Sequence, residues 1–259
     1  MTVNQMKNIF DLSGKRVLIT GSGRGIGFLL AKGLGDYGAE IIINDLNQEV
    51  VVQAVEQLKS HSIVATGIAF DVSDKKQVVD SLYQIESEIG AIDILINNAG
   101  IQRRHSLIEF PEKDWDDIID INQKSVFLLS QEIAKYMIPR GKGKIINICS
   151  MQSELGRETI TPYAASKGAV KMLTKGLCVE LAKHNIQVNG IGPGYFDTEM
   201  TKALVNDEAF SSWLFTRTPA ARWGKPEELV GAAIYLSSSA SDFVNGHIIY
   251  VDGGILASI

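Results

Sequence analysis

Seven runs of nearly unbroken aliphatic residues punctuate the chain: RVLIT (16–20), EIIIND (40–45), ATGIAFD (65–71), DILIN (93–97), KIINIC (144–149), IQVNGIG (186–192) and HIIYVDG (247–253). A strand with one face in water alternates apolar and polar residues, whereas a strand covered on both faces does not. These runs therefore predict a parallel sheet buried between two layers. Stretches with helical spacing lie between them: GIGFLLAKGLGDYG, QEVVVQAVEQLKSH, KKQVVDSLYQIESEIG, a long segment around 112–138, and a helix holding TPYAASKGAV (161–170). Such sustained alternation predicts a doubly wound α/β sheet. No linker, repeat or low-complexity tract divides the chain. Its 259 residues read as one domain, with 1–14 as an N-terminal arm.

Composition narrows the classes of function. The chain is 45% apolar and 21% charged, with a net charge of −5, which disfavours bulk attraction to nucleic acid. No run approaches the roughly 20 apolar residues of a membrane span, and the first residues carry no apolar core of signal-peptide length. Only Cys149 and Cys178 are cysteines, which argues against a disulfide framework and suits a reducing, cytoplasmic setting. His61, His105, His184 and His247 are scattered without metal-ligand spacing, so no metal is expected.

The first aliphatic run ends in TGSGRGIG (20–27), with glycines at 21, 23, 25 and 27. Glycine lets backbone approach a ligand closely, and the start of a helix favours a phosphate. Ile26 stands where G-x-G-x-x-G would need its third glycine; Thr20, Gly21, Gly25 and Gly27 fit T-G-x-x-x-G-x-G instead. NNAG (97–100) ends the fourth run, and PGYFDT (193–198) follows the sixth. Ser150 ends the fifth, thirteen residues before Tyr163, and Lys167 follows four residues after that tyrosine. Residues four apart on a helix share a face. An ammonium beside a phenol lowers its pKa, which would prepare Tyr163 for acid–base work near neutrality.

This ordered set resembles the short-chain dehydrogenase/reductase family over essentially the whole chain. The resemblance implies a single-domain Rossmann-type sheet and an NAD(P)-dependent dehydrogenase/reductase acting on CH–OH groups. It implies Tyr163 as general acid/base, Ser150 as the hydrogen-bond partner of the reacting oxygen, and Lys167 as a further ligand of the nicotinamide ribose. Asn122, in DINQKS, corresponds to a helix asparagine that helps hold a water linking the lysine to solvent. Gly21, Arg24, Gly25, Ile26 and Gly27 would cradle the cofactor. Asp71 and Val72 would border its adenine, and Asn98, Ala99 and Gly100 its far edge. Pro193, Gly194 and Thr198 complete the cofactor set, with Thr198 reaching the carboxamide. Asp45, ending the second run, favours NAD through the ribose 2′-hydroxyl. Arg24 suits the 2′-phosphate of NADP, so both cofactors stay open.

The substrate reading rests on NAGIQRRHS (98–106). Ligands of open α/β sheets bind beyond the carboxyl ends of the strands, and an arginine fork matches a carboxylate. Arg104 is expected as the main carboxylate partner and Arg103 as the second; the alternative is a solvated basic loop. NNAG-I-x-R-R resembles the sugar-acid branch of the family, implying interconversion of D-gluconate and 5-keto-D-gluconate. Oxidation of a 2-deoxy-gluconate at carbon 3 is a second reading; an acyl-chain reductase and a cofactor-binding regulator without chemistry are weaker ones. Glu154 is either a partner of sugar hydroxyls or a surface carboxylate. Residues 196–218, with Phe196, Phe210, Trp213 and Phe215, are expected to cover the substrate. Relatives imply a homotetramer packed through the helices around 114–138 and 162–183.

Overall fold

All seven aliphatic runs become strands in the computed structural model, which describes residues 8–258. They are β1 (Arg16–Ile19), β2 (Glu40–Asp45), β3 (Ala65–Ala69), β4 (Ile94–Asn97), β5 (Gly143–Ile148), β6 (Ile186–Pro193) and β7 (Ile248–Val251). Every neighbouring pair is parallel, in the order β3-β2-β1-β4-β5-β6-β7. Successive strand side chains point to opposite faces. Ile41 and Ile43 accordingly join one buried cluster, with Leu30, Leu34 and Ala233, while Ile42 joins another, with Leu82, Leu129 and Ile133.

Those clusters are the contacts of two helical layers. The helices are α1 (Gly25–Asp36), α2 (Gln48–Ser60), α3 (Lys75–Gln84), α4 (Glu112–Ile119), α5 (Ser125–Arg140), α6 (Thr161–Leu181), α7 (Lys202–Val205), α8 (Glu208–Arg217) and α9 (Val230–Ser237). The segment expected as one helix around 112–138 is interrupted. A five-residue π-helical turn, Asp120–Lys124, separates α4 from α5 and holds Asn122 buried at 1% exposure. Such wide turns recur at functional sites.

Strand order reverses between β1 and β4, the switch point at which this architecture opens a crevice. The turns leaving β1, β4, β5 and β6 meet at that edge, so residues 20–27, 97–106, 150–160 and 193–198 become neighbours. Of the N-terminal arm, residues 1–7 lie outside the described residues. Beyond them, Leu12 is buried and its N–H donates to Tyr37 O at 3.0 Å. No described helix is long and apolar enough to cross a membrane. Among the described residues no group of His, Cys, Asp and Glu is placed to hold a metal ion. Both cysteines are free thiols, and burial pushes Cys149 up to about 11.

Candidate active site

The start of α1 is built differently from those of the two helices that follow it. Asn47 and Asp74 cap α2 and α3 through side-chain oxygens. α1 begins at Gly25 with no side-chain cap and no acid in its first turn, so its leading N–H groups face outward without a protein acceptor side chain. A Cβ on Gly27 would stand 2.5 Å from Gly21 O, and one on Gly21 would stand 2.9 Å from Ala99 Cα. At Gly25, with φ +58°, nothing lies within 4 Å of that direction. The loop is thus compressed against the protein and open on its outer side. An uncapped helix start beside an open glycine fits the pyrophosphate of a dinucleotide.

The NNAG turn is stitched to this loop. Asn98 Nδ2 donates to Thr20 O at 2.8 Å and Gly21 O at 2.9 Å, and Thr20 Oγ1 accepts from the N–H groups of Asn98 and Ala99. Asp45 leans over the same loop, since a Cβ on Gly23 would meet its Oδ2 at 2.8 Å. Asp71 Oδ1 accepts from Ser73 N and Oγ, fixing the turn that follows β3, where Val72 is buried. Gly194 N donates to Val251 O at 2.9 Å, anchoring the Pro193–Gly194 turn. Thr198, expected to reach a carboxamide, caps the short turn Glu199–Thr201 and shares a hydroxyl contact with Thr201 at 3.0 Å.

Ser150, Tyr163, Lys167 and Asn122 come together beside the crevice. Ser150 Oγ donates to Gln152 Oε1 at 2.6 Å and accepts from Gln152 N at 3.2 Å. Burial holds the Tyr163 phenol above its ordinary pKa, while hydrogen bonding with Ser150 and the charge of Arg104 oppose that rise. Lys167, expected to tune the phenol, takes a backbone partner. Lys167 Nζ donates to Ile148 O at 2.6 Å and stands 5.8 Å from the Tyr163 ring centre. Its own burial brings its pKa down to about 8. Asn122 does not face solvent: Oδ1 accepts from Ile101 N at 2.8 Å, and Nδ2 donates to Ile101 O at 2.9 Å and Ser166 Oγ at 3.2 Å. It clamps the base of the loop that carries Arg104.

The two neighbouring arginines part company. Arg104 donates to Gln102 Oε1 at 2.9 Å, and its charge is felt by Tyr163, Tyr195 and Arg157. Arg103 points to α4, with Nε 3.8 Å from Asp114 Oδ1, and His105 Nε2 lies 2.7 Å from Asp114 Oδ2. Arg103, expected as the second carboxylate partner, is therefore engaged by a carboxylate of its own chain. Glu154 is likewise engaged: its Oε1 accepts from Lys171 and, at 2.5 Å, from Tyr250 Oη, and those bonds hold its carboxyl below the usual range.

The segment expected to cover the substrate contributes to an aromatic cluster. Tyr195 packs edge-on to Phe210, Trp213 and Trp223, with ring centres 5.3, 6.2 and 5.9 Å apart. Phe210 and Trp213, both expected in the cover, lie in this cluster, and Tyr195 and Trp223 join them. Phe196 belongs to the main core, where a Cβ on Gly224 would strike its ring. Sequence reasoning also missed Arg157, whose guanidinium lies 4.6 Å from the Phe210 ring centre. Its place between Ser150 and Tyr163, in the turn leaving β5, was the available signal.

A glycine loop at the switch point, with a phenol and an ammonium on one helix of the adjoining wall, is the layout of nicotinamide-dependent oxidoreductases built on one doubly wound sheet. The chain belongs to the short chain dehydrogenase family, which residues 15–209 match. It is 64% identical over 254 residues to the 5-keto-D-gluconate 5-reductase of Escherichia coli K12, covering 98% of this chain and all of that protein. It is 55% identical to the gluconate 5-dehydrogenase of Gluconobacter oxydans 621H, covering 97% of this chain and 98% of that protein. The crystal structure of a gluconate 5-dehydrogenase from Burkholderia cenocepacia J2315, in complex with NADP and tartrate, matches with a TM-score of 0.95 at 54% identity, covering 97% and 98% of the two chains.

Proposed function

We propose that this protein is an NAD(P)-dependent oxidoreductase that interconverts D-gluconate and 5-keto-D-gluconate. The observation that carries this reading is the gathering of Ser150, Tyr163 and Lys167 beside the glycine loop, with Arg104 held only by Gln102, in a chain 64% identical to a 5-keto-D-gluconate 5-reductase. A carboxylate held by Arg104 leaves the rest of a short sugar chain at the phenol. The sequence left the reacting carbon open; both curated relatives described above are named for carbon 5.

Bound nicotinamide would supply hydride for reduction and take it up in oxidation. Tyr163 gives its proton to the keto oxygen in reduction and takes it back in oxidation. Ser150 holds that oxygen by a hydrogen bond. Lys167, held on Ile148 O one helical turn from the phenol, offers a donor to the ribose. Asn122 fixes Ile101 and with it the path to Arg104. Gly21, Arg24, Gly25, Ile26 and Gly27 would hold the pyrophosphate, with Asp45 and Arg24 at the adenosine ribose. Asp71, Val72, Asn98, Ala99, Gly100, Pro193, Gly194 and Thr198 would line the remaining length. Residues 196–218 cover the substrate through the Phe210–Trp213 face.

The same reading includes a cytoplasmic homotetramer. Its support is the two free thiols and the apolar residues left exposed on α5 and α6: Phe127, Met172 and Val179. A monomer mass in sedimentation at micromolar concentration overturns the assembly. For the activity, purified protein is given D-gluconate with NADP or NAD, and 5-keto-D-gluconate with the reduced cofactors, while reduced-nicotinamide absorbance is followed. Turnover with the product oxidised at carbon 5 supports the reading. Oxidation at another carbon, or none, sinks it.

A further inference from the structure

Most arginines with a defined partner are held by a carboxylate: Arg16 by Glu40, Arg103 by Asp114, Arg140 by Glu86 and Arg222 by Glu228. Arg104 and Arg157 are exceptions. Among the described residues neither has a carboxylate within ion-pair distance, yet each lies within the other's field. Two like charges brought together without a counter-ion form a place for an anion.

The chain holds these arginines together deliberately. Asn122 clamps Ile101 at the base of one loop. The other loop is tied to it by a backbone bond, His105 N to Thr159 O at 3.2 Å. Thr159 delivers that carbonyl from φ +68°, a left-handed conformation that is costly for a β-branched residue and persists only when its surroundings enforce it. Arg157 itself lies with its guanidinium 4.6 Å from the Phe210 ring centre and 5.9 Å from that of Tyr195. Phe210 belongs to α8, so the arginine touches the covering helix.

We propose that Arg157 is the second arm of a carboxylate clamp with Arg104, and that through Phe210 it ties recognition of the substrate's charge to the cover. This rests on the sugar-acid reading above. A hydrogen bond to a charged group is worth more than a cation resting on an exposed aromatic face. A carboxylate between the two guanidiniums also removes their mutual repulsion. Arg157 can make those bonds while keeping one face on Phe210. An uncharged polyol offers neither gain, so Arg157 makes negative charge a condition of tight binding.

The test measures KM and kcat for D-gluconate at saturating NADP in the wild type, Arg157→Gln and Arg157→Lys, with NADPH affinity by fluorescence titration as the check on folding. Arg157→Gln is expected to raise KM about tenfold or more, with a much smaller change in kcat and the same NADPH affinity. Arg157→Lys, which keeps the charge and loses the flat fork, is expected to fall between the two. If Arg157→Gln does not fold, Phe210→Leu serves instead, and a severalfold rise in KM is expected from loss of the stacked face. A KM within about twofold of wild type in Arg157→Gln, or in Phe210→Leu where it substitutes, overturns the clamp and leaves the sugar-acid reading standing. A wild type that binds NADPH but does not turn over gluconate overturns that reading, and the clamp with it.

Discussion

Lys167 reaches past Tyr163 rather than to it. Its ammonium is buried on Ile148 O at 2.6 Å, with the tyrosine ring centre 5.8 Å away. A lysine stem is long enough to leave the helix face that it shares with the phenol and find a strand-end carbonyl.

That burial makes a prediction about stability. Burial brings the Lys167 pKa down from its ordinary 10.5 to about 8. Between those values the unfolded chain binds more protons than the folded one, so stability contributed at this site rises with pH across that window. Below about pH 8 both states are protonated and the buried ammonium opposes folding in full. Denaturant unfolding of wild type and Lys167→Met should therefore show the difference moving in favour of wild type as pH rises from 8 to 10.5, by up to about 3 kcal/mol. A difference independent of pH would mean that Lys167 is not desolvated in this way.

Tyr163→Phe removes one hydroxyl and should leave fold and NADPH affinity intact, while turnover falls by about 10²–10⁴-fold. In the wild type the raised phenol pKa keeps the proton needed for keto-acid reduction. Gluconate oxidation needs the proton gone and should have the more alkaline optimum. Coincident optima in the two directions, or a correctly folded Phe variant with near-normal turnover, would remove Tyr163 from the proton transfer.

Arg103 and Arg104 should separate cleanly in kinetics. Arg104→Ala should raise KM for gluconate by roughly 10–150-fold, the worth of a lost charged hydrogen bond, with NADPH affinity little changed. Arg103→Ala loses a partner in Asp114 and should change that KM by less than about threefold. Equal effects would show that the division seen between these neighbours does not govern binding.

The adenosine end offers a separate test. Asp45 packs over Gly23, and Arg24 stands at the exposed start of α1. Asp45→Ala should shift preference toward NADP by removing repulsion of a 2′-phosphate, and Arg24→Ala should weaken NADP more than NAD. Fluorescence titrations with both reduced cofactors decide it; parallel changes would place neither residue at the 2′ position.

The strands were readable because burial on both faces writes itself as uninterrupted aliphatic sequence; β2 runs Glu40–Asp45, as its pattern indicates. The glycine loop and the Tyr163–Lys167 spacing were readable because local geometry fixes them. The side-chain partners were not. Adjacent arginines look alike in a string, and only packing of α4 against the 101–106 loop sends Arg103 to Asp114. Arg157 acquires its place from Phe210, which belongs to another element. The break at Asp120–Lys124 contains neither Pro nor Gly. It was hidden because its reason is tertiary: a side chain that must meet Ile101.

That break also sets a rule about length. A π turn accommodates an additional residue in a helix whose residues otherwise advance by about 100° each. α4 and α5 are therefore out of phase with one another by design of the chain. Deleting one residue within 120–124 would let the two merge into a straight helix. α5 would then turn by about 100° against the sheet, or Asn122 would swing away from Ile101. This stretch can accept changes of letter more readily than a change of count.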